Sequence, residues 1–159
     1  MKSTAKPEEP KFLVTGSQWR EGVSGVRTRQ GYLAVGPPAA VRVRITNDKA
    51  ILNIKKATLD MVRDEFEYPI PLDDAEAMQE HLCEGFVIEK TRYQVDYAGK
   101  RWEVDVFDGA NAGLVVAEIE LESATETFVR PPWLGKEVSG DPRYLNSSLS
   151  RLPFSQWNE

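Results

Sequence analysis

Basic residues recur in this chain two positions apart, Arg42 with Arg44 and Lys90 with Arg92, and Lys11 and Lys55 stand in similarly alternating stretches. Lysine and arginine side chains offer hydrogen-bond donors only, and the arginine fork grips phosphate oxygens in bidentate fashion. Such a set suits a polyanion. Glu118, Glu120 and Glu122 are also two apart, and on the same face as those cations they would repel the polyanion. A hard divalent ion, Mg²⁺ or Mn²⁺, bridging carboxylate and phosphate oxygens resolves that conflict. Other chemistries have few groups to draw on. The lone histidine, His81, and the lone cysteine, Cys83, lie close together in a helical pattern, which leaves no histidine triad, no zinc cluster and no internal disulfide.

These residues sit on strands. The dominant signal is alternation of period two over 11–14, 26–35, 40–47, 50–55, 62–70, 86–97, 101–107 and 114–122. Val41, Val43 and Ile45 oppose Arg42 and Arg44, and Leu52 and Ile54 oppose Asn53 and Lys55. Val62, Phe66 and Tyr68 oppose Arg63, Glu65 and Glu67; Trp102, Val104 and Val106 oppose Glu103 and Asp105; Ala117, Ile119 and Leu121 oppose the glutamates at 118, 120 and 122. Asn47-Asp48 and Ala98-Gly99-Lys100 are turn signals that join neighbouring strands as antiparallel hairpins.

About eight strands is the size at which open sheets curl or close. A half-solvated open sheet would also alternate. Two features favour closure: helical patterns are too few to cover a flat sheet of this width, and the polar faces are almost wholly charged. The expected fold is therefore α+β, a closed eight-stranded antiparallel barrel with charges inside and a few helices outside. Those helices are expected at 72–84, with Asp73 and Glu76 as a capping box and Gly85 as the stop, at Ser123–Glu126, and after Asp141-Pro142.

A length of 159 residues predicts one domain over 1–159, frayed at 1–10 and 152–159. The net charge of −5 calls for neither nucleic acid nor a membrane surface, and the polar start of the chain has no signal-peptide run, so a cytoplasmic location is expected. Trp133 and Trp157 are read as local packing rather than an interface.

An ordered set of motifs adds to this reading: Lys11-Phe-Leu-Val14, Arg29-Gln-Gly-Tyr-Leu33, Val41-Arg-Val-Arg44, Leu52-Asn-Ile-Lys55, Ile88-Glu-Lys-Thr-Arg-Tyr93, Ala117-Glu-Ile-Glu-Leu121, Pro131-Pro-Trp-Leu-Gly135 and Asp141-Pro-Arg-Tyr144. With them the chain resembles, over nearly its whole length, the CYTH family of triphosphate tunnel metalloenzymes, and most of all its short bacterial branch that hydrolyses inorganic tripolyphosphate. The resemblance implies Lys11, Arg42, Arg44, Lys55 and Arg92 as phosphate binders and Glu9, Glu118 and Glu120 as ligands to Mg²⁺ or Mn²⁺. It also implies a catalytic Tyr32–Lys90 pair with Glu65 as a further catalytic contact, while Glu67, Glu103 and Asp105 orient the cations. The expected substrate is tripolyphosphate, with ATP or thiamine triphosphate as related ones. A weakly active or non-catalytic triphosphate binder and a class IV-type adenylate cyclase are the alternative functions. One departure stands out: the family's ExExK opening reads Pro7-Glu8-Glu9-Pro10-Lys11 here, and Pro7 in place of the first glutamate predicts a weakened hydrolytic site.

Overall fold

A computed structural model describes residues 9–56, 64–123 and 125–157. Its strands are β1 (Lys11–Val14), β2 (Gly25–Ala34), β3 (Ala39–Thr46), β4 (Lys49–Lys56), β5 (Glu65–Ile70), β6 (Ile88–Tyr97), β7 (Lys100–Asp108), β8 (Val115–Ile119) and β9 (Leu134–Glu137). Two helices, α1 (Leu72–His81) and α2 (Asn146–Arg151), complete the list with short 3₁₀ turns such as Pro142–Tyr144. The turn chemistry is as expected: Asn47 (φ 57°) turns the β3–β4 hairpin, and Ala98 (φ 51°) with Gly99 (φ 80°) turns β6 into β7.

All strands join one antiparallel sheet in the order β5-β4-β3-β2-β6-β7-β8-β1-β9. The class is α+β, yet two features of the expected barrel are corrected. There are nine strands, and among the described residues they do not close. The reason lies in β9, which pairs with the edge of β1 that closure would use, since the other edge is taken by β8. At the opposite end β5 is short and carries Pro69, which has no N–H to donate to a further ladder. The expected strand at 114–122 ends at Ile119, and Val62, Arg63, Pro7 and Glu8 lie outside the described residues.

The helices also differ in detail. Helix α1 begins at Leu72 after an extended Pro71, which leaves Asp73 inside the first turn, so the Asp73–Glu76 box makes no capping hydrogen bond. At Ser123–Glu126 no helix forms among the described residues; Glu126 instead accepts from the Glu122 N–H (2.7 Å) and pairs with Lys100. Asp141 does cap, accepting from the Arg143 N–H at 3.0 Å ahead of the 3₁₀ turn. After Arg151, Phe154 N–H donates to Asn111 Oδ1 (2.8 Å), and Trp157 stacks edge-on against Tyr144 and Phe154.

The outward sheet faces are covered in two ways. Helix α1 packs Ala75, Leu72 and Met78 over Val43, Ile45, Ala50 and Leu52. It sits close because Gly31 has no side chain; a Cβ there would lie 2.3 Å from Cys83 Sγ. Gln79 then donates to the carbonyls of Arg29 and Val43, each at 3.0 Å. Over β1, β7 and β8 the cover is not a helix but aromatic loop residues: Trp19, Phe128 and Trp133 pack on Phe12, Trp102, Val104 and Ile119. Trp133 is thus local packing, with its ring 5.6 Å from that of Trp102.

Candidate active site

The inward faces enclose a cavity of about 920 Å³. Alternation delivers its lining: Val26, Thr28, Gln30 and Tyr32 from β2, Arg42, Arg44 and Thr46 from β3, Lys55 from β4, Lys90, Arg92 and Gln94 from β6, Glu118 from β8, and Glu9 and Lys11 from the β1 end. Every cation singled out by sequence pattern reaches this one space.

Its walls differ in construction. On β6 and β7, Asp105 is 4% exposed and holds two cations at once. It accepts from Lys90 Nζ at 2.9 Å and from Arg92 Nε and Nη2 at 2.7 and 2.8 Å. Arg92 further faces Glu103 Oε1 (3.3 Å) and Glu118 Oε1 (3.7 Å). Burial alone would raise the Asp105 pKa, but the Arg92 and Lys90 contacts outweigh it and hold the carboxyl below its usual range. Burial would likewise lower the Arg92 pKa; its bonds to Asp105 reverse the direction. Lys90 remains depressed, because burial and Arg92 repulsion exceed the pull of the shared carboxylate.

The β3–β4–β5 wall is looser. Arg44 Nη2 is 3.5 Å from Glu67 Oε2, and both side chains are 33% exposed. Burial, then repulsion from Arg42, lower the Arg44 pKa. Buried Asn53 donates to Glu65 (2.8 Å) and Glu67 (3.2 Å), so these acids are oriented by an amide as well as by cations.

A feature missed from sequence is an apolar plug on the same inward faces. Tyr32, Ile88, Phe107 and Val116 continue the faces that carry Gln30, Lys90, Asp105 and Glu118, and they pack with Val138, Tyr144 and Leu149. The C-terminal segment thereby enters the interior: Leu145, Asn146 and Ser147 line the cavity, and Lys11 Nζ donates to the Tyr144 carbonyl at 3.1 Å. Its entry is fixed by Gly85 (φ +76°), where a Cβ would lie 2.2 Å from the Ser150 carbonyl, and by the Phe86 N–H to Ser150 O bond of 2.7 Å. The signal was present in the parity of Ile88, Phe107 and Val116. A separate cavity of about 560 Å³ has Arg143 as its only lining cation among the described residues, and that residue is bonded to Asp141 (2.7 Å) and lies over Trp157.

The acids at the β1–β8 seam fit a hard divalent cation in donor chemistry and register. Lys11 pairs with Glu118, and Ile119 N–H donates to Pro10 O (3.4 Å), so the register extrapolates to Glu9 opposite Glu120 on the face of Glu118. They are not a finished cage. Glu9 and Glu120 are exposed, Glu120 lies one residue beyond β8 and does not line the cavity, and no cluster of three acid, His or Cys side chains is poised for a metal among the described residues. His81 is exposed at the α1 end and Cys83 is a free thiol beyond it, its pKa raised by burial.

The comparisons agree with this geometry. The family model described as CYTH domain matches residues 3–151. A protein of Acetivibrio thermocellus named inorganic triphosphatase is 46% identical over 154 residues, covering 97% of this chain and 99% of that one. Another of that name, from Nitrosomonas europaea, is 34% identical over 89% of this chain and 95% of its own length. A solved inorganic triphosphatase structure superposes with a TM-score of 0.75 at 32% identity, covering 91% of this chain and 94% of that one. Cations from four strands around one cavity, the match of the family model and these relatives together place the chain in the CYTH domain family.

Proposed function

We propose that this protein hydrolyses inorganic tripolyphosphate to pyrophosphate and orthophosphate with a divalent metal, Mg²⁺ or Mn²⁺. The observation that carries the reading is the convergence of Lys11, Arg42, Arg44, Lys55, Lys90 and Arg92 on one cavity whose seam with β1 bears carboxylates. In phosphoryl transfer the protein's work is almost entirely positioning and charge stabilisation, and this wall supplies both. Lys11, Arg42, Arg44, Lys55 and Arg92 hold the phosphate oxygens. Glu9, Glu118 and Glu120 would hold the metal, which neutralises phosphate charge and activates water when bound.

Lys90 and Tyr32 both line the cavity, Tyr32 as part of the plug and Lys90 with its Nζ 5.7 Å from the ring of Phe107. Lys90, its pKa depressed by burial, is suited to give a proton to the departing pyrophosphate. Glu65, the further catalytic contact of this reading, accepts from Asn53 at 2.8 Å and does not itself line the cavity. ATP and thiamine triphosphate carry the same triphosphate and are secondary candidates. No helix among the described residues is long and apolar enough to cross a membrane.

Phosphate release from tripolyphosphate, ATP and thiamine triphosphate, each with Mg²⁺, Mn²⁺ or chelator, tests the proposal. Metal-dependent release, fastest with tripolyphosphate, is expected. Cyclic AMP from ATP would move the protein to the cyclase class, and binding without release would make it a binder.

A further inference from the structure

Gln30 is 3% exposed and lines the cavity, yet its side-chain oxygen has no hydrogen-bond partner among the described residues. A buried amide oxygen left without a partner is costly, and one that faces a cavity can take a hydrogen bond from a water held there. Its neighbours have donors but direct them elsewhere. Register sets Arg44 beside Gln30 on β3 and Lys90 one pair along on β6, opposite Thr28. Arg44 turns to Glu67 at 3.5 Å and Lys90 to Asp105 at 2.9 Å.

The cations around Gln30 cannot supply such an acceptor. Lysine and arginine only donate. A water held by donors alone presents them its lone pairs, the electrons it needs to attack phosphorus. A water that donates to a fixed acceptor keeps a lone pair free. A neutral amide oxygen can be that acceptor without repelling a polyanion, which a carboxylate at the same place would do.

We infer that Gln30 is a catalytic residue that orients the attacking water, an inference that rests on the triphosphatase reading above. The water oxygen forms the new bond to the terminal phosphorus, and the bridging P–O bond breaks with its electron pair leaving on pyrophosphate. One proton of the water stays on orthophosphate; Lys90 gives its own proton to pyrophosphate, and the second water proton restores Lys90. Gln30 accepts a hydrogen bond throughout and takes no proton.

The test is steady-state hydrolysis of tripolyphosphate by the parent, Gln30→Met and Gln30→Asn, with binding by calorimetry and thermal melts on the same samples. Met keeps the length and removes the acceptor; Asn withdraws it by one methylene and serves if Met fails to fold. Expected is a fall in kcat on the order of 100-fold for Met, the scale of a mispositioned reactant, and at least about tenfold for Asn, with KM and Kd kept within about threefold. Unchanged kcat in a folded variant overturns the inference, as does a raised KM with kcat retained, which would make Gln30 a phosphate binder. A parent that binds but never turns over overturns the triphosphatase reading itself and the role of Gln30 with it.

Discussion

The two cationic walls of the cavity are built in opposite ways. On the β6–β7 side one buried acid, Asp105, clamps Lys90 and Arg92 inside paired central strands. On the β3–β5 side Arg42 and Arg44 repel each other, Arg44 meets Glu67 at 3.5 Å, and the wall ends on an edge strand. A rigid wall presents fixed donors and loses no freedom when an anion arrives. A looser wall can close on it. The difference teaches that side-chain fixity in this site is set by burial and sharing of acids, not by the number of cations.

The largest effect is expected where the clamp is broken. Asp105→Asn strands one buried and one part-buried cation without their shared carboxylate and should lower the unfolding free energy by about 3–5 kcal/mol, read by urea denaturation. A loss below about 1 kcal/mol would put the two walls on a par. The pH dependence follows. Because the folded Asp105 pKa is depressed, its stabilisation is complete above the ordinary carboxylate pKa of about 4 and is lost as pH falls through the folded value. Melts of the parent should therefore show an acid limb below about pH 4 that Asp105→Asn flattens.

The seam between the walls gives the next effect. Glu118→Gln should remove most of the roughly 2.7 kcal/mol that tripolyphosphate with Mn²⁺ contributes at a hundred times its Kd, while the ligand-free fold keeps its melting temperature. Equal metal-dependent shifts in variant and parent would take Glu118 out of the metal set. The smallest effect belongs to the loose wall: Glu67→Gln breaks a partly solvated pair and should change stability by less than about 1 kcal/mol in the same denaturation experiment. A larger loss would show that this wall, too, is clamped.

The faces of the strands were legible from sequence because alternation is a property of the backbone: Arg42 and Arg44, Lys90 and Arg92 all point where parity places them. What alternation cannot report is which edge meets which. Leu-Gly-Lys-Glu at 134–137 carries no strand pattern, yet it occupies the edge of β1 and prevents closure. The plug was hidden for another reason. Apolar residues on a charged face read as exceptions until a C-terminal segment packs against them, as Tyr144 and Leu149 do against Tyr32 and Ile88. Of the candidate metal ligands, Glu118 reached the cavity wall by parity, whereas Glu120 fell beyond the strand end, which spacing along a sequence does not mark.

The central claim is that cations on these facing strands bind a triphosphate chain, and titration calorimetry of tripolyphosphate into the parent and Arg44→Ala tests it most directly. The account predicts affinity weaker by about 1.5–3 kcal/mol, the range of a lost charge-assisted hydrogen bond. It also predicts a fold no less stable than the parent, because removing Arg44 relieves its repulsion with Arg42. Unchanged affinity in the folded variant would contradict it.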